Sequence, residues 1–253
     1  MTRPFIMVAP NGARRGKEAN ASLPITIPEM VTTAVSCHQA GADALHLHVR
    51  DDNGGHSLDV GLYREATSEL LRVVPTLEVQ ITTEAAGIFD VPAQYHCLRE
   101  LKPKWASVSI REMARDMSLA PKVYDLCADN NTKIQHILYN TDDIALLLDW
   151  QKQGIVKADQ DSVLFVLGRY TQGQVSSPDD LTPFRQALPD IKHWMVCAFG
   201  PDEHNCLAQA ARQGGAVRVG FENSLMSPDG TPHADNAASI TALIHTIEQL
   251  KPA

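Results

Sequence analysis

The 253 residues hold no apolar run near the ~18 that a membrane span requires. The opening stretch MTRPFIMVAPNG lacks the long apolar core of a secretion signal. Cysteine is sparse: Cys37, Cys97, Cys127, Cys197 and Cys206 are scattered, with no CxxC pair and no zinc-knuckle spacing, which argues for free thiols in a reducing cytoplasm rather than a disulfide framework. Basic excess is missing too. Lys and Arg total 22 against 30 Asp and Glu, a net charge of −8, so neither nucleic acid nor an anionic membrane surface is an expected partner. No GxGxxG follows the first strand-like run, which counts against a dinucleotide fold. What is present is ordinary globular material, 44% hydrophobic and 21% charged, enough for a large core.

That material alternates. The β-branched or apolar runs Phe5–Ala9, Ala44–Val49, Thr76–Thr82, Trp105–Ile110, Lys133–Tyr139, Ser162–Gly168, His193–Gly200 and Ala216–Asn223 read as strands. Amphipathic stretches of helical length follow each of them: Pro28–Gln39, Asp59–Val73, Val91–Leu101, Ser118–Asn130, a helix capped by Thr141 that holds Ile144–Trp150, one opening at Pro178, Asp202–Gln213, and Asn236–Leu250. Strict strand–helix alternation predicts a parallel sheet. Eight units with no linker predict one α/β domain over residues 1–253, a closed (β/α)8 TIM barrel, whose chemistry belongs at the C-terminal ends of the strands.

At the end of the second strand stands ALHLHVRDDNGG. Side chains alternate along a strand, so His46 and His48 share the inner face while Leu45, Leu47 and Val49 face the helices. A lone buried histidine is more often a hydrogen-bonded core residue, but an HxH pair at a strand end is a natural metal pair. The eighth strand offers the third ligand in GGAVRVGFENS, where alternation turns Arg218, Gly220 and Glu222 inward and Gly220 leaves room in the pocket. Only strand one separates strands two and eight in a closed barrel. A His46–His48–Glu222 site follows, with a coordination position left for a substrate oxygen. Among common ions, zinc suits this donor set best. Asp51 is expected to orient a zinc histidine or brace its loop. His56, His204 and His233 are expected at the surface. Trp105, Trp150 and Trp194 are expected in the core.

HLHVRD together with RVGFENS resembles the β-keto acid cleavage enzymes. The similarity extends over nearly the whole chain and includes APNGARRGK, LPITIPEM, AGADALHLHVRDDNG, the VLG after strand six and the DNA of Asp235–Ala237. The resemblance implies a (β/α)8 barrel that forms a homotetramer. It implies one Zn2+ per chain on His46, His48 and Glu222, and a reaction in which a β-keto acid and acetyl-CoA yield acetoacetate and a new acyl-CoA. It maps the active-site arginine onto Arg218 and a hydroxyl after strand three onto Thr82, with Thr83 as the near alternative. Arg14 or Arg15 is expected on a substrate carboxylate or a coenzyme A phosphate, and Ser107 or Ser109 on an oxyanion.

The sequence departs from the family where acids are expected. Asn223 stands where members carry a proton-abstracting aspartate, Arg14 where they carry a carboxylate, and the fifth strand offers Gln135, His136 and Tyr139 rather than glutamate. Because the metal ligands and Arg218 are intact, the same reaction with a rearranged base is expected: a zinc-bound hydroxide, a histidine or a more distant carboxylate. A metal-dependent aldolase or hydrolase working without coenzyme A is the rival. An amidohydrolase-type site is disfavoured, since it places HxH on the first strand and an aspartate after the eighth. An open coordination position is superfluous in a protein that merely binds.

Overall fold

The computed structural model describes residues 3–249. Eight parallel strands close a barrel in sequence order: β1 (Ile6–Val8), β2 (Ala44–Leu47), β3 (Glu78–Thr82), β4 (Trp105–Ser109), β5 (Lys133–Leu138), β6 (Ser162–Leu167), β7 (Trp194–Ala198) and β8 (Ala216–Val219). Strand β1 lies between β2 and β8, pairing Met7 with Ala44 and with Arg218. The helices that surround it are α1 (Ile27–Gln39), α2 (Val60–Val73), α3 (Val91–Leu101), α4 (Ala120–Asp129), α5 (Thr141–Lys152), α6 (Thr182–Ala187), α7 (Glu203–Arg212) and α8 (Asn236–Gln249). The expected α/β barrel is therefore present. The expected helix end at Leu250 lies outside the described residues. No described helix is long and apolar enough to cross a membrane.

Local chemistry sets the helix starts. Thr26 and Glu29 form a capping box around Pro28 at α1. Asp59 and Asp90 accept from Leu62 N and Ala93 N at α2 and α3. At α5 the cap is Asn140, whose side chain takes the Asp143 N–H, and not Thr141, which is the first helical residue. The segment that opens at Pro178 begins as a 3-10 turn, Pro178–Leu181, before α6.

Strand period sorts the side chains into two cores. Outward residues such as Leu45, Ile81, Val108, Phe165 and Val219 pack against the helices, together with Trp150 and Trp194. Met7, Ala44, Ile137, Leu164, Val166, Met195, Cys197 and Phe199 fill the inside of the barrel. Trp105 is only half-buried, packed on Phe5 at the N-terminal end.

Two strand ends differ from the sequence expectation, and both serve the mouth. The run Ala44–Val49 is broken at His48. Strand β2 stops at Leu47, and Val49–Arg50 pairs instead with His56–Ser57 in a small antiparallel hairpin. Strand β8 stops at Val219, not Asn223, because the chain turns at Gly220, where φ is +139° and the Asn223 and Ser224 N–H groups both return to the Gly220 carbonyl. Gly220 does not open the pocket. A Cβ there would meet the Ala9 carbonyl oxygen at 2.5 Å, so glycine is needed for close backbone approach. Gly220→Ala is expected to cost about 2–3 kcal/mol from the strained φ and the displaced β1. Urea denaturation checks this, and a loss below about 0.5 kcal/mol would contradict it.

Candidate metal centre and active site

His46, His48 and Glu222 meet at the C-terminal mouth. His46 Nε2 and His48 Nε2 lie 3.2 Å apart, and Glu222 sets Oε2 3.7 Å from the first and Oε1 3.6 Å from the second. A tetrahedral zinc with bonds of about 2.0–2.1 Å holds its ligand atoms about 3.3–3.4 Å from one another, so these separations fit a divalent ion. This is the one three-residue donor cluster of its kind among the described residues. His46 and Glu222 are in the right state for it. Burial, then the charge of Arg218, pushes His46 well below the usual imidazole pKa and leaves it neutral. Burial works to raise Glu222, but Arg218, His48 and His46 outweigh it and hold the carboxyl well below its usual range.

An amide relay orients His46. Its Nδ1 donates to Gln80 Oε1 at 2.7 Å, Gln80 Nε2 donates to Gln135 Oε1 at 3.0 Å, and Gln135 Nε2 reaches Met195 Sδ at 3.8 Å. With Nδ1 committed, the Nε2 lone pair faces the ion site. Gln80 was legible in TLEVQIT as the inward residue opposite His46, and the sequence reading passed over it.

Glu222 lies in a turn, so its backbone needs partners that a strand would have supplied. Asn236 Oδ1 takes the Phe221 N–H, the Ala9 carbonyl takes the Glu222 N–H, and Glu203 Oε1 takes the Gly220 N–H. Arg15 donates to the carbonyls of Phe221 (2.6 Å), Glu222 (3.1 Å) and Asn223 (3.5 Å). Arg15 is thus a clamp on the ligand turn, and it lines the outer rim of the pocket beside Arg14. Arg50, the arginine of HLHVRD, does the same for the Arg15 loop, donating to the carbonyls of Gly12 (Nε, 3.0 Å), Arg15 (2.9 Å) and Gly54 (2.7 Å). Gly12 (φ +62°) supports Glu222 directly, since a Cβ there would meet Glu222 Cγ at 2.6 Å.

The pocket above the donors is lined by His46, Thr82, Glu84, Ile137, Tyr139, Val166, Arg169, Phe199, Arg218 and Glu222; Arg14 joins at its outer rim. Arg218 is buried. Its Nη2 faces Glu222 Oε1 at 3.6 Å and Cys197 Sγ at 3.5 Å, while Nε and Nη1 have no partner. Burial disfavours its charge, and Cys197 and Glu222 more than compensate. Thr82 lines the pocket as expected. Thr83 does not, because its hydroxyl is spent on the Ser107 carbonyl at 3.0 Å. Ser107 and Ser109 are buried with unpaired hydroxyls and do not line the pocket. Asn223 also sits outside the lining, fully buried, with Nδ2 on the Arg218 carbonyl at 3.2 Å. Asp51 braces its own loop by accepting from Asn53 N and Gly55 N.

The three histidines expected at the surface are not there: His56, His204 and His233 are all buried. His56 lies with its ring 5.2 Å from that of His48, and burial followed by His48 pushes it down to about 4. Two acids escaped the sequence reading. Glu84 ion-pairs with Arg14 at 2.8 Å. Glu203 is buried behind the ligand turn, and its burial raises it well above a normal carboxyl. A hollow of about 610 Å3 between α2, α3 and the N-terminal strand ends collects Leu71, Lys102, Lys104 and Trp105 but no donor cluster, so volume does not locate the chemistry here.

His46→Ala, His48→Ala and Glu222→Gln are each expected to lose the bound ion by elemental analysis; full metal content in all three would contradict the site. Gln80→Leu is expected to keep the ion but weaken it 10- to 100-fold in competition with a chromophoric chelator.

The β-keto acid cleavage enzyme family model matches residues 4–252. A 3-keto-5-aminohexanoate cleavage enzyme of Fusobacterium nucleatum is 25% identical over 99% of this chain and 93% of its own. A 3,5-dioxohexanoate:acetyl-CoA acetone transferase of Paraburkholderia graminis is 23% identical over 97% of this chain and 90% of its own. The apo structure of ObcA superposes with a TM-score of 0.69 at 14% identity; it is matched by 90% of this chain, which spans 62% of the ObcA chain. The barrel, the His–His–Glu mouth and a family match over nearly every residue agree: this chain belongs to the β-keto acid cleavage enzymes, which break a carbon–carbon bond by acyl transfer.

Proposed function

We propose that the chain takes a β-keto acid and acetyl-CoA and releases acetoacetate and a new acyl-CoA, using one Zn2+ on His46, His48 and Glu222. The observation that carries this reading is the pairing of three converging donors with a buried arginine whose Nε and Nη1 are unpaired. An anion with two oxygens satisfies those donors in a bidentate grip, and a β-keto acid presents such a carboxylate two bonds from its ketone. The family match and the acetyl-CoA in a relative's name support the second substrate.

The residues divide the work. Arg218 binds and orients the carboxylate. Bound zinc supplies Lewis acidity toward the keto oxygen. The Thr82 hydroxyl accepts from the Glu84 N–H at 3.0 Å, which leaves its proton for an oxygen that gains charge. Ile137, Val166 and Phe199 keep water from the floor. At the rim, Arg14 and Arg169 face the side where the substituent or the coenzyme A phosphates enter. The proposal extends to a reducing cytoplasm, supported by five thiols that are all buried and unpaired, and to a homotetramer on family grounds.

The test is acetoacetate release from zinc-loaded protein given acetyl-CoA and a panel of neutral, cationic and dicarboxylic β-keto acids. Acetoacetate that appears only with acetyl-CoA is expected. Cleavage without it would replace the reading with an aldolase or hydrolase.

A further inference from the structure

We propose that Glu84 is the group that takes the C2 proton from the β-keto acid and returns one to the product. The proposal rests on the acetyl-CoA reaction above. That reaction needs a base at the pocket, and the residue beside the zinc glutamate, Asn223, is an amide that faces away from it.

Elimination leaves one candidate among the lining residues. Two of them are carboxylates, Glu84 and Glu222. Glu222 is committed to the ion site and pinned between His46, His48 and Arg218. His46 is a ligand. Tyr139 is held protonated, because burial and then the charge of Glu84 push its phenol well above its ordinary pKa. Arginines do not accept protons at working pH. Of the groups near but outside the lining, His56 has its Nε2 on the Glu84 carbonyl at 2.8 Å, and Glu203 is turned toward the Gly220 N–H.

The geometry of Glu84 suits the task. Its N–H is fixed by Thr82 Oγ1 at 3.0 Å and its carbonyl by His56 at 2.8 Å, so its backbone is held at both ends beside the pocket. Its side chain is 16% exposed, and its ion pair to Arg14 Nη1 runs through Oε1. With Oε1 on Arg14, Oε2 remains to meet a substrate carbon. Arg14 and Glu84 are thus an acid–base unit, in place of a carboxylate after β1 and an aspartate after Glu222.

The step balances without a further reagent. Glu84 takes the proton from C2, and the electron pair left there forms a bond to the acetyl carbonyl carbon while coenzyme A leaves as thiolate. The thiolate adds to the former keto carbon, the C2–C3 bond breaks, and the pair returns to C2. Glu84 gives back its proton, so acetoacetate and the new acyl-CoA leave with the carboxylate restored.

Acetoacetate tests this without knowledge of the natural substituent, because its C2 is the same carbon seen from the product side. Zinc-loaded wild type and Glu84→Gln are incubated with acetoacetate in D2O, and C2 exchange above the enzyme-free background is followed by NMR. Glu84→Gln is expected to lose at least about 100-fold in exchange. Its zinc content and acetoacetate affinity should stay within about threefold, and Glu84→Asp, which keeps a carboxylate, should exchange faster than the Gln variant. Exchange by Glu84→Gln at the wild-type rate overturns the assignment and leaves the acetyl-CoA reading standing. So does loss of affinity in step with exchange, which makes Glu84 a binding group. A wild-type protein that neither exchanges C2 nor releases acetoacetate in the substrate panel overturns the acetyl-CoA reading, and this inference with it.

Discussion

A carboxylate at residue 222 has to be held against two imidazoles at residues 46 and 48, although its own backbone has already left the strand. A turn offers no ladder of neighbours, and an unpinned glutamate would lose side-chain entropy on binding an ion that a pinned one has lost in advance. The protein meets this with guanidinium groups aimed at carbonyls. Arg50, beside the histidines, grips the loop after β1, and Arg15 from that loop grips Phe221, Glu222 and Asn223. The ligands from the two ends of the chain are therefore joined through one arginine relay.

The same relay explains why the mouth tolerates so many buried charges. Arg15 and Arg50 spend theirs on backbone dipoles, at positions where burial pushes both below the ordinary arginine value. Arg218 is the exception, with two donor nitrogens left unpaired beside Glu222. A buried polar group without a partner is costly in a resting protein, and a substrate carboxylate that completes it gains affinity from that deficit. The scaffold arginines are satisfied, and the arginine that binds is not.

Much of this was legible in the sequence. Strand period turned His46 and His48 to one face, and strand order brought β8 beside β1, which accounts for the meeting of His46, His48, Glu222 and Arg218 at the mouth. Period reasoning failed where strands end. It made Glu222 a strand residue and Gly220 a gap in the pocket, whereas a glycine-dependent turn does both jobs. Charge alone could not tell Arg14 from its neighbour Arg15, because only the folded chain shows which guanidinium has carbonyls within reach. Glu84 went unnoticed since it follows β3 with no motif around it. The motif residues Asn11 and Asn236 proved to be supports: one donates to the His48 carbonyl, the other accepts from Phe221 N.

The central claim is that two imidazoles and one carboxylate, joined by this relay, hold a single divalent ion. X-ray absorption on the zinc-loaded protein tests it most directly. The account predicts one zinc per chain in a shell of nitrogen and oxygen, with the outer-shell scattering of two imidazole rings. Sulfur in that shell, which would draw on one of the five buried thiols, or a shell with no imidazole scattering, would contradict it.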